Sequence, residues 1–497
     1  MFSRFFRNFA NGRPARGNSP GRAPTYNSYH NDRDMNKATL IANLLIAALP
    51  AMSCADDRQK ETESMYKYTI VSEDAPHEGT WLAWPHRHTY GTAYRDSIEP
   101  VWVAMAAALS GGERVHIIAY DETERRRIAR KLEGSGADMA AIDFVAMPTD
   151  DVWIRDTGPV FVCDSSGRQA VVDFAFDGWG RKAPHSLDDA VPRRVAAITS
   201  LPLCDASDVV IEGGAVETDG AGTLMACESS VVSPGRNRGL AKEYVERRLR
   251  QCLGVSNFIW LKGAIGEDIT DAHIDGIARF YDSHTIIAVA RNDFADLYEG
   301  IDMADYDVIA SARNADGEPY RVVQMPFTRK NVRGLGYKGS YLNFYVGNTV
   351  VLKPAYGDAN DSVAVRMLTE LYPGRRVVPI DVTKLYKHGG MLHCVTRQQP
   401  AARHCGPGRR GAVAAALCRP WGGAQARGAH SDMCGSPYGT GAWALWPMAA
   451  CWVKKCFAPG AASAFSLRKP KNKLNAFLSV QVFFFCLLLW LSTHKQT

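Results

Sequence analysis

Gly239-Leu240-Ala241-Lys242-Glu243-Tyr244-Val245-Glu246-Arg247-Arg248-Leu249-Arg250-Gln251-Cys252-Leu253, followed after a short break by Phe258-Ile259-Trp260-Leu261, is the stretch on which the fold turns. Its first part sets Val245, Leu249 and Cys252 four and then three residues apart among charged neighbours, the pattern of an amphipathic helix. Its second part is a short apolar run, which reads as a strand. The same order recurs. Helix-like 95–110 leads to Val115-His116-Ile117-Ile118-Ala119, and helix-like 187–200 leads to Val209-Val210-Ile211-Glu212-Gly213-Gly214. A weaker helical segment near 295–310 precedes Val322-Val323-Gln324-Met325, and helix-like 361–372 leads to Val377-Val378-Pro379-Ile380. These five uneven units share negligible sequence identity, yet they predict an internally repeated α/β architecture. Further strands are expected between them, as at 170–174 and 285–289. A doubly wound nucleotide-binding sheet would carry a Gly-rich loop after an early strand. None is present, which argues against nucleotide binding.

The chain has 497 residues and a net charge of +6, but the surplus lies at its ends. Arg4, Arg7, Arg13, Arg16, Arg22 and Arg33 face only Asp32 and Asp34 in residues 1–34, and Asp432 is the one acid past residue 400. The middle is near balance, so no nucleic-acid partner is inferred. The cysteines form no CxxC pair and no zinc-like spacing.

Residues 1–65 read as a disordered leader. Within it, Lys37, an apolar run from Ala38 to Pro50 and Ala51-Met52-Ser53-Cys54 resemble a bacterial export signal over 35–54 that ends in a lipoprotein cleavage site. That reading fits a start at Met35 and gives an exported or lipid-anchored protein. Starting elsewhere, the segment is an uncleaved hydrophobic leader and the protein is cytoplasmic. The tail, 401–497, has no sustained period and does not read as a packed domain. Its apolar segment 476–492 is either a membrane anchor or part of a gene-annotation or frameshift artefact.

Several β runs end in acids, histidine or cysteine. The densest is Asp150-Asp151-Val152-Trp153-Ile154-Arg155-Asp156-Thr157-Gly158-Pro159. Ile211-Glu212-Gly213-Gly214 and Asp271-Ala272-His273-Ile274-Asp275-Gly276 follow, then Gly389-Gly390-Met391-Leu392-His393-Cys394. Taken alone, Cys394 at a buried strand end reads as an inert core thiol, Asp156 as a turn residue, and Glu212 as a strand-end charge. On a strand, His273 and Asp275 would share a face. Together these residues supply a thiol, an imidazole and three carboxylates. That set suits thiolate attack on a planar cationic carbon. Carboxylates can hold a guanidinium's fork of N–H donors, and histidine can carry protons between thiol, ammonia and water.

At these residues the chain resembles the agmatine deiminase family, which also takes in bacterial peptidylarginine deiminase-like proteins. The resemblance spans 66–400, read as a single catalytic domain. It also covers Trp81-Leu82-Ala83-Trp84-Pro85, Trp179-Gly180 with Asp188-Asp189, Ser233-Pro234-Gly235-Arg236-Asn237 and Ser340-Tyr341-Leu342-Asn343-Phe344. It implies a five-bladed α/β propeller with fivefold pseudosymmetry, the pentein-like fold. It implies Cys394 as nucleophile, His273 as general acid/base and Glu212 as its support, with Asp156, Asp275 and Trp153 binding substrate. No metal or organic cofactor is implied. The partner is a small guanidine, with homo-oligomerisation and membrane attachment through Cys54 or the C-terminal apolar segment as further expectations. Met391, Leu392, Arg397 and Arg181 depart from the family pattern, which bears on substrate fit. The implied reaction is agmatine deimination to N-carbamoylputrescine. Deimination of peptidyl- or protein-arginine is the alternative, with Arg181 as a candidate carboxylate partner. A non-catalytic guanidine-binding protein and an unrelated Cys-His-Asp amidase are more distant readings.

Overall fold

A computed structural model describes residues 68–402. Each helix feeds a strand lying parallel to the strand before that helix, as a parallel pair needs a crossover. The first sheet runs in the order β16-β1-β2-β3, with β1 His77–Ala83, β2 Arg114–Ala119, β3 Ile142–Ala146 and β16 Arg397–Pro400. The second holds β4 Val160–Cys163, β5 Gln169–Ala175 and β6 Leu203–Val210, and the third β7 Val216–Thr218, β8 Thr223–Cys227 and β9 Asn257–Leu261. The fourth holds β10 Ala278–Asp282, β11 Thr285–Val289 and β12 Arg321–Met325, and the fifth β13 Tyr345–Val346, β14 Val350–Ala355 and β15 Arg376–Asp381. In sheets two to five, the first strand pairs antiparallel with the second and the second pairs parallel with the third.

The crossovers carry α1 Arg87–Leu109, then α2 Glu122–Leu132 inside the first sheet, α3 Val191–Thr199, α4 Lys242–Leu253, α5 Met303–Ala310 and α6 Asp361–Leu371. The helix of the opening stretch is α4, and it buries Val245, Leu249 and Cys252. α3 is shorter than the 187–200 pattern suggested. Asp188 accepts from the backbone N–H groups of Asp150 and Asp151, and Asp150 accepts from those of Leu187 and Asp188. These exchanges hold the segment as a turn.

The middle strands are buried on both faces; every residue of β8 and β11 is inside. The third strands are only half covered, and Arg321 and Arg376 stand exposed on β12 and β15. Charged side chains there discourage edge-to-edge pairing. In the first sheet, β16 supplies the antiparallel neighbour of β1, pairing His77 with Pro400 and Trp81 with Arg397. The last strand of the described chain thus completes the first unit.

Two local expectations are corrected. Cys394 is not at a strand end but on a 3-10 turn, His393–Val395, that precedes β16. His273 and Asp275 are not on a strand: His273 caps a 3-10 turn, Ile274–Gly276. They still face one site, because Ile274 between them goes into the core. The expected leader, the export signal at 35–54, Cys54 and the anchor at 476–492 lie outside the described residues.

Candidate active site

The segment just before the first strand of each unit carries one part of the site. Asp156 lies on the helical turn Ile154–Thr157 before β4. Glu212 and Gly214 precede β7, and His273 and Asp275 precede β10. Asn343 precedes β13, and Cys394 precedes β16. Gly214 forms the meeting point. A Cβ there would come 2.7 Å from His273 Nδ1, 2.8 Å from Asp156 Oδ1 and 3.1 Å from Asp275 Oδ2. Only a residue without a side chain leaves room for three functional groups over it.

Asp156 is aimed by two donors. Its Oδ1 accepts from the Gly214 N–H at 2.9 Å, and its Oδ2 accepts from the Trp179 indole N–H at 3.0 Å. The indole occupies a left-handed position (φ 57°) and packs edge-on against Phe176. Burial, helped by the nearby Glu212 and Asp275 charges, pushes the Asp156 carboxyl above its ordinary range. Among the described residues no arginine or lysine forms an ion pair with it; His273 Nδ1 stands 3.7 Å away.

His273 is held from its other side, with Nε2 2.6 Å from Glu212 Oε2. Glu212 is fixed in turn by the fully buried Arg236, whose guanidinium also reaches Asp271 at 3.0 Å. Burial would lower the basicity of His273. The Asp156, Glu212 and Asp275 carboxylates outweigh it and raise the imidazole to about 9. At neutral pH this ring is protonated and can give a proton to a leaving amine.

Cys394 is half-buried. Its Sγ lies 3.4 Å from Asn343 Oδ1 and 3.9 Å from Asp275 Oδ2. Burial and the Asp275 and Asp156 charges push the thiol well above its usual range, which favours S–H over the thiolate. Asn343 acts as a bracket. Its Oδ1 accepts from the His393 backbone N–H at 3.0 Å, and its Nδ2 donates to Asp275 Oδ2 at 3.0 Å. The same Asp275 oxygen is 2.7 Å from His393 Nδ1. Burial would raise Asp275; the His393 contact overrides it and holds the carboxyl below the usual range.

Asp156, Glu212, His273, Asp275 and Cys394, all singled out from sequence, are therefore brought together. Trp153 is buried, with its ring against Gly390, where no Cβ could fit. It stands beside the Cys394 turn, and its carbonyl accepts from the Asp156 backbone N–H at 3.0 Å. Arg181 is exposed on a left-handed backbone (φ 64°). Arg397 is buried and donates to the Pro159 carbonyl at 2.7 Å, so this departure from the family pattern braces the turn after Asp156. Met391 is buried as well, with its sulfur 2.7 Å from the Tyr356 hydroxyl.

Sequence reasoning missed Asn343, Glu73, Arg236, Arg279 and the ring of His393. Asn343 was detectable in principle, because it stands where Asp156, Glu212 and Cys394 stand in their own units. Glu73 had no local signal. It lies before β1 and binds Arg279 at 2.9 Å, Arg155 at 3.0 Å and His393 at 2.8 Å.

Comparisons with known proteins place the chain in a family. The family described as Porphyromonas-type peptidyl-arginine deiminase matches residues 69–400. Agmatine deiminase of Stutzerimonas stutzeri is 31% identical over 358 residues, covering 67% of this chain and 96% of that protein. The solved structure of Enterococcus faecalis agmatine deiminase superposes with a TM-score of 0.62 at 26% identity, covering 69% of this chain and 98% of that one. A solved Porphyromonas gingivalis protein, provisionally assigned as an arginine deiminase, gives 0.60 at 34% identity, covering 68% and 99%.

Proposed function

We propose a function from one premise: this chain belongs to the Porphyromonas-type peptidyl-arginine deiminase family. It is a hydrolase of amidine C–N bonds, and its substrate is agmatine, converted to N-carbamoylputrescine and ammonia. The observation that carries this is the cluster over Gly214, where two carboxylates and one imidazole face a common point, the Cys394 thiol stands 3.9 Å from the Asp275 carboxylate, and Asp156 forms no ion pair with an arginine or lysine among the described residues. A guanidinium supplies the missing cation.

In this reading Asp156 and Asp275 take the N–H fork in charge-assisted hydrogen bonds. Neutralising these two carboxylates removes the charges that hold the Cys394 thiol up, so substrate binding itself favours the thiolate. The thiol's proton departs to solvent. Sγ then attacks the guanidinium carbon, and His273 protonates the departing nitrogen, which leaves as ammonia. The amidino-thioether so formed is attacked by water, with His273, now neutral, accepting the water proton. The C–S bond breaks as the adduct's hydroxyl loses its proton to solvent and becomes the carbonyl, the carbamoyl product leaves and the thiolate returns. Glu212 holds the imidazole throughout, and Trp153 walls the site beside the nucleophile.

The catalytic domain is residues 66–400, with the five units set as blades of a propeller about a fivefold pseudo-axis. Support comes from the five equivalent segments that supply the site. The leader, the tail, membrane attachment through Cys54 or 476–492, and a homo-oligomer are expectations that the intact mass of the native protein and its solution size will read.

A second reading, deimination of peptidyl- or protein-arginine, is favoured by the description of the matching family as peptidyl-arginine deiminase. Ammonia release from agmatine, free arginine and an arginyl peptide separates the two, with Cys394→Ala as the inactive control. Turnover of the peptide and none of agmatine would overturn the first reading.

A further inference from the structure

Two histidines flank the candidate site, and they are held differently. His273 has Nε2 on Glu212 and leaves Nδ1 3.7 Å from Asp156, beyond hydrogen-bond reach, so one of its nitrogens is free to exchange a proton. His393 has both nitrogens on carboxylate oxygens. Its Nδ1 is 2.7 Å from Asp275 Oδ2 and its Nε2 is 2.8 Å from Glu73 Oε2. A carboxylate oxygen only accepts, so both ring nitrogens are placed to donate, the arrangement an imidazolium satisfies.

The groups around the ring hold it in that form. Glu73 is kept ionised by Arg279 at 2.9 Å and Arg155 at 3.0 Å. Glu217, itself paired with Arg279, stands 3.9 Å from Nε2. Arg155 also donates to the His393 carbonyl at 3.2 Å, and Asn343 accepts from its backbone N–H. The ring is 1% exposed and cannot turn without breaking two ion pairs.

We propose that His393 is a positioning residue: a fixed buried cation that keeps Asp275 ionised and aimed at the reacting carbon, without moving protons itself. This rests on the guanidine-hydrolase reading above. It divides the work between the two carboxylates. Asp275 is ionised before substrate arrives, whereas Asp156 gains its counter-charge from the substrate. A mobile histidine next to Cys394 would protonate the thiolate; one with both protons engaged on carboxylates does not.

The test is His393→Asn, whose amide can still donate towards Asp275 but carries no charge. Losing an adjacent opposite charge raises a carboxylate by about one to three units, so the acid limb of kcat/KM for agmatine moves up by that much. KM carries the loss, kcat at saturation changes little, and the defect shrinks as pH rises. A purely structural role would instead give a loss independent of pH, and that result would overturn the proposal. Imidazole 15N NMR of the wild-type protein gives a second readout that needs no turnover. One ring, absent in His393→Asn, should carry hydrogen on both nitrogens in the wild-type protein and on only one in Glu73→Gln. A ring with one bare nitrogen in the wild-type protein, or one unmoved by Glu73→Gln, sinks the assignment. Should the wild-type protein turn over no guanidine, the function reading fails while the NMR result still decides the state of the ring.

Discussion

Replacing Asp156 by Asn should move two alkylation rates at Cys394 in opposite directions. The substitution keeps the acceptor for the Gly214 N–H but removes a negative charge that raises both the Cys394 thiol and the His273 imidazole. The reagents are 2-chloroacetamide, which is neutral, and 2-chloroacetamidine, which has nearly the same shape and is a cation. For the neutral reagent, lowering the thiol pKa by about one unit gives about tenfold more thiolate, and the accompanying loss of nucleophilicity cuts the net gain to about threefold. For the cation, the variant lacks one charge-assisted hydrogen bond worth about 1.5–3 kcal/mol. At 1.4 kcal/mol per decade that is about ten- to a hundredfold, and set against the roughly threefold gain in thiolate reactivity the cation reacts about three- to thirtyfold slower. The assay is peptide mass spectrometry of the labelled protein at pH 8, with Cys204, Cys227 and Cys252 as internal controls. Because the wild-type thiol is raised, labelling by the neutral reagent should keep climbing above pH 8 rather than level off. The new amide N–H would face the Trp179 N–H, so a thermal melt should accompany the rates. If both rates fall together, or the cation shows no preference in the wild-type protein, the charge argument is wrong.

Two further substitutions probe other parts of the geometry. Glu212→Gln leaves Arg236 buried beside a neutral partner; it should cost about 3 kcal/mol of stability by chemical denaturation and reduce kcat about a hundredfold. Gly214→Ala has an ordinary φ, so its penalty is steric contact with His273 and Asp156; activity should fall at least a hundredfold while the melting temperature changes little.

The repeat was legible in the sequence because each helix alternates burial with the 3.6-residue period and each buried strand is a plain apolar run. Asp156, Glu212, His273, Asp275 and Cys394 were legible because acids, histidine and cysteine stand out at the ends of such runs. Their local conformation was less legible. Ile274 looks like a strand residue, yet the core takes it from a single 3-10 turn. The charged layer behind the site was not legible at all. Glu73 meets His393 across 320 residues, and Arg155 meets Gln398 across 243. No periodicity within one segment encodes such pairs, which exist only once distant units have assembled.

The pairing of β16 with β1 also sets the order in which the protein acquires its chemistry during synthesis. The nucleophile's turn is immediately upstream of the strand that closes the first sheet, whose partner was made more than three hundred residues earlier. At elongation rates of about 5–20 residues per second, most of the domain emerges while neither the thiol nor its seam exists. A nascent chain can thus fold four of its sheets while remaining chemically silent, because His393, which aims Asp275, arrives with the thiol. Activity would switch on only when the ribosome releases the last strand.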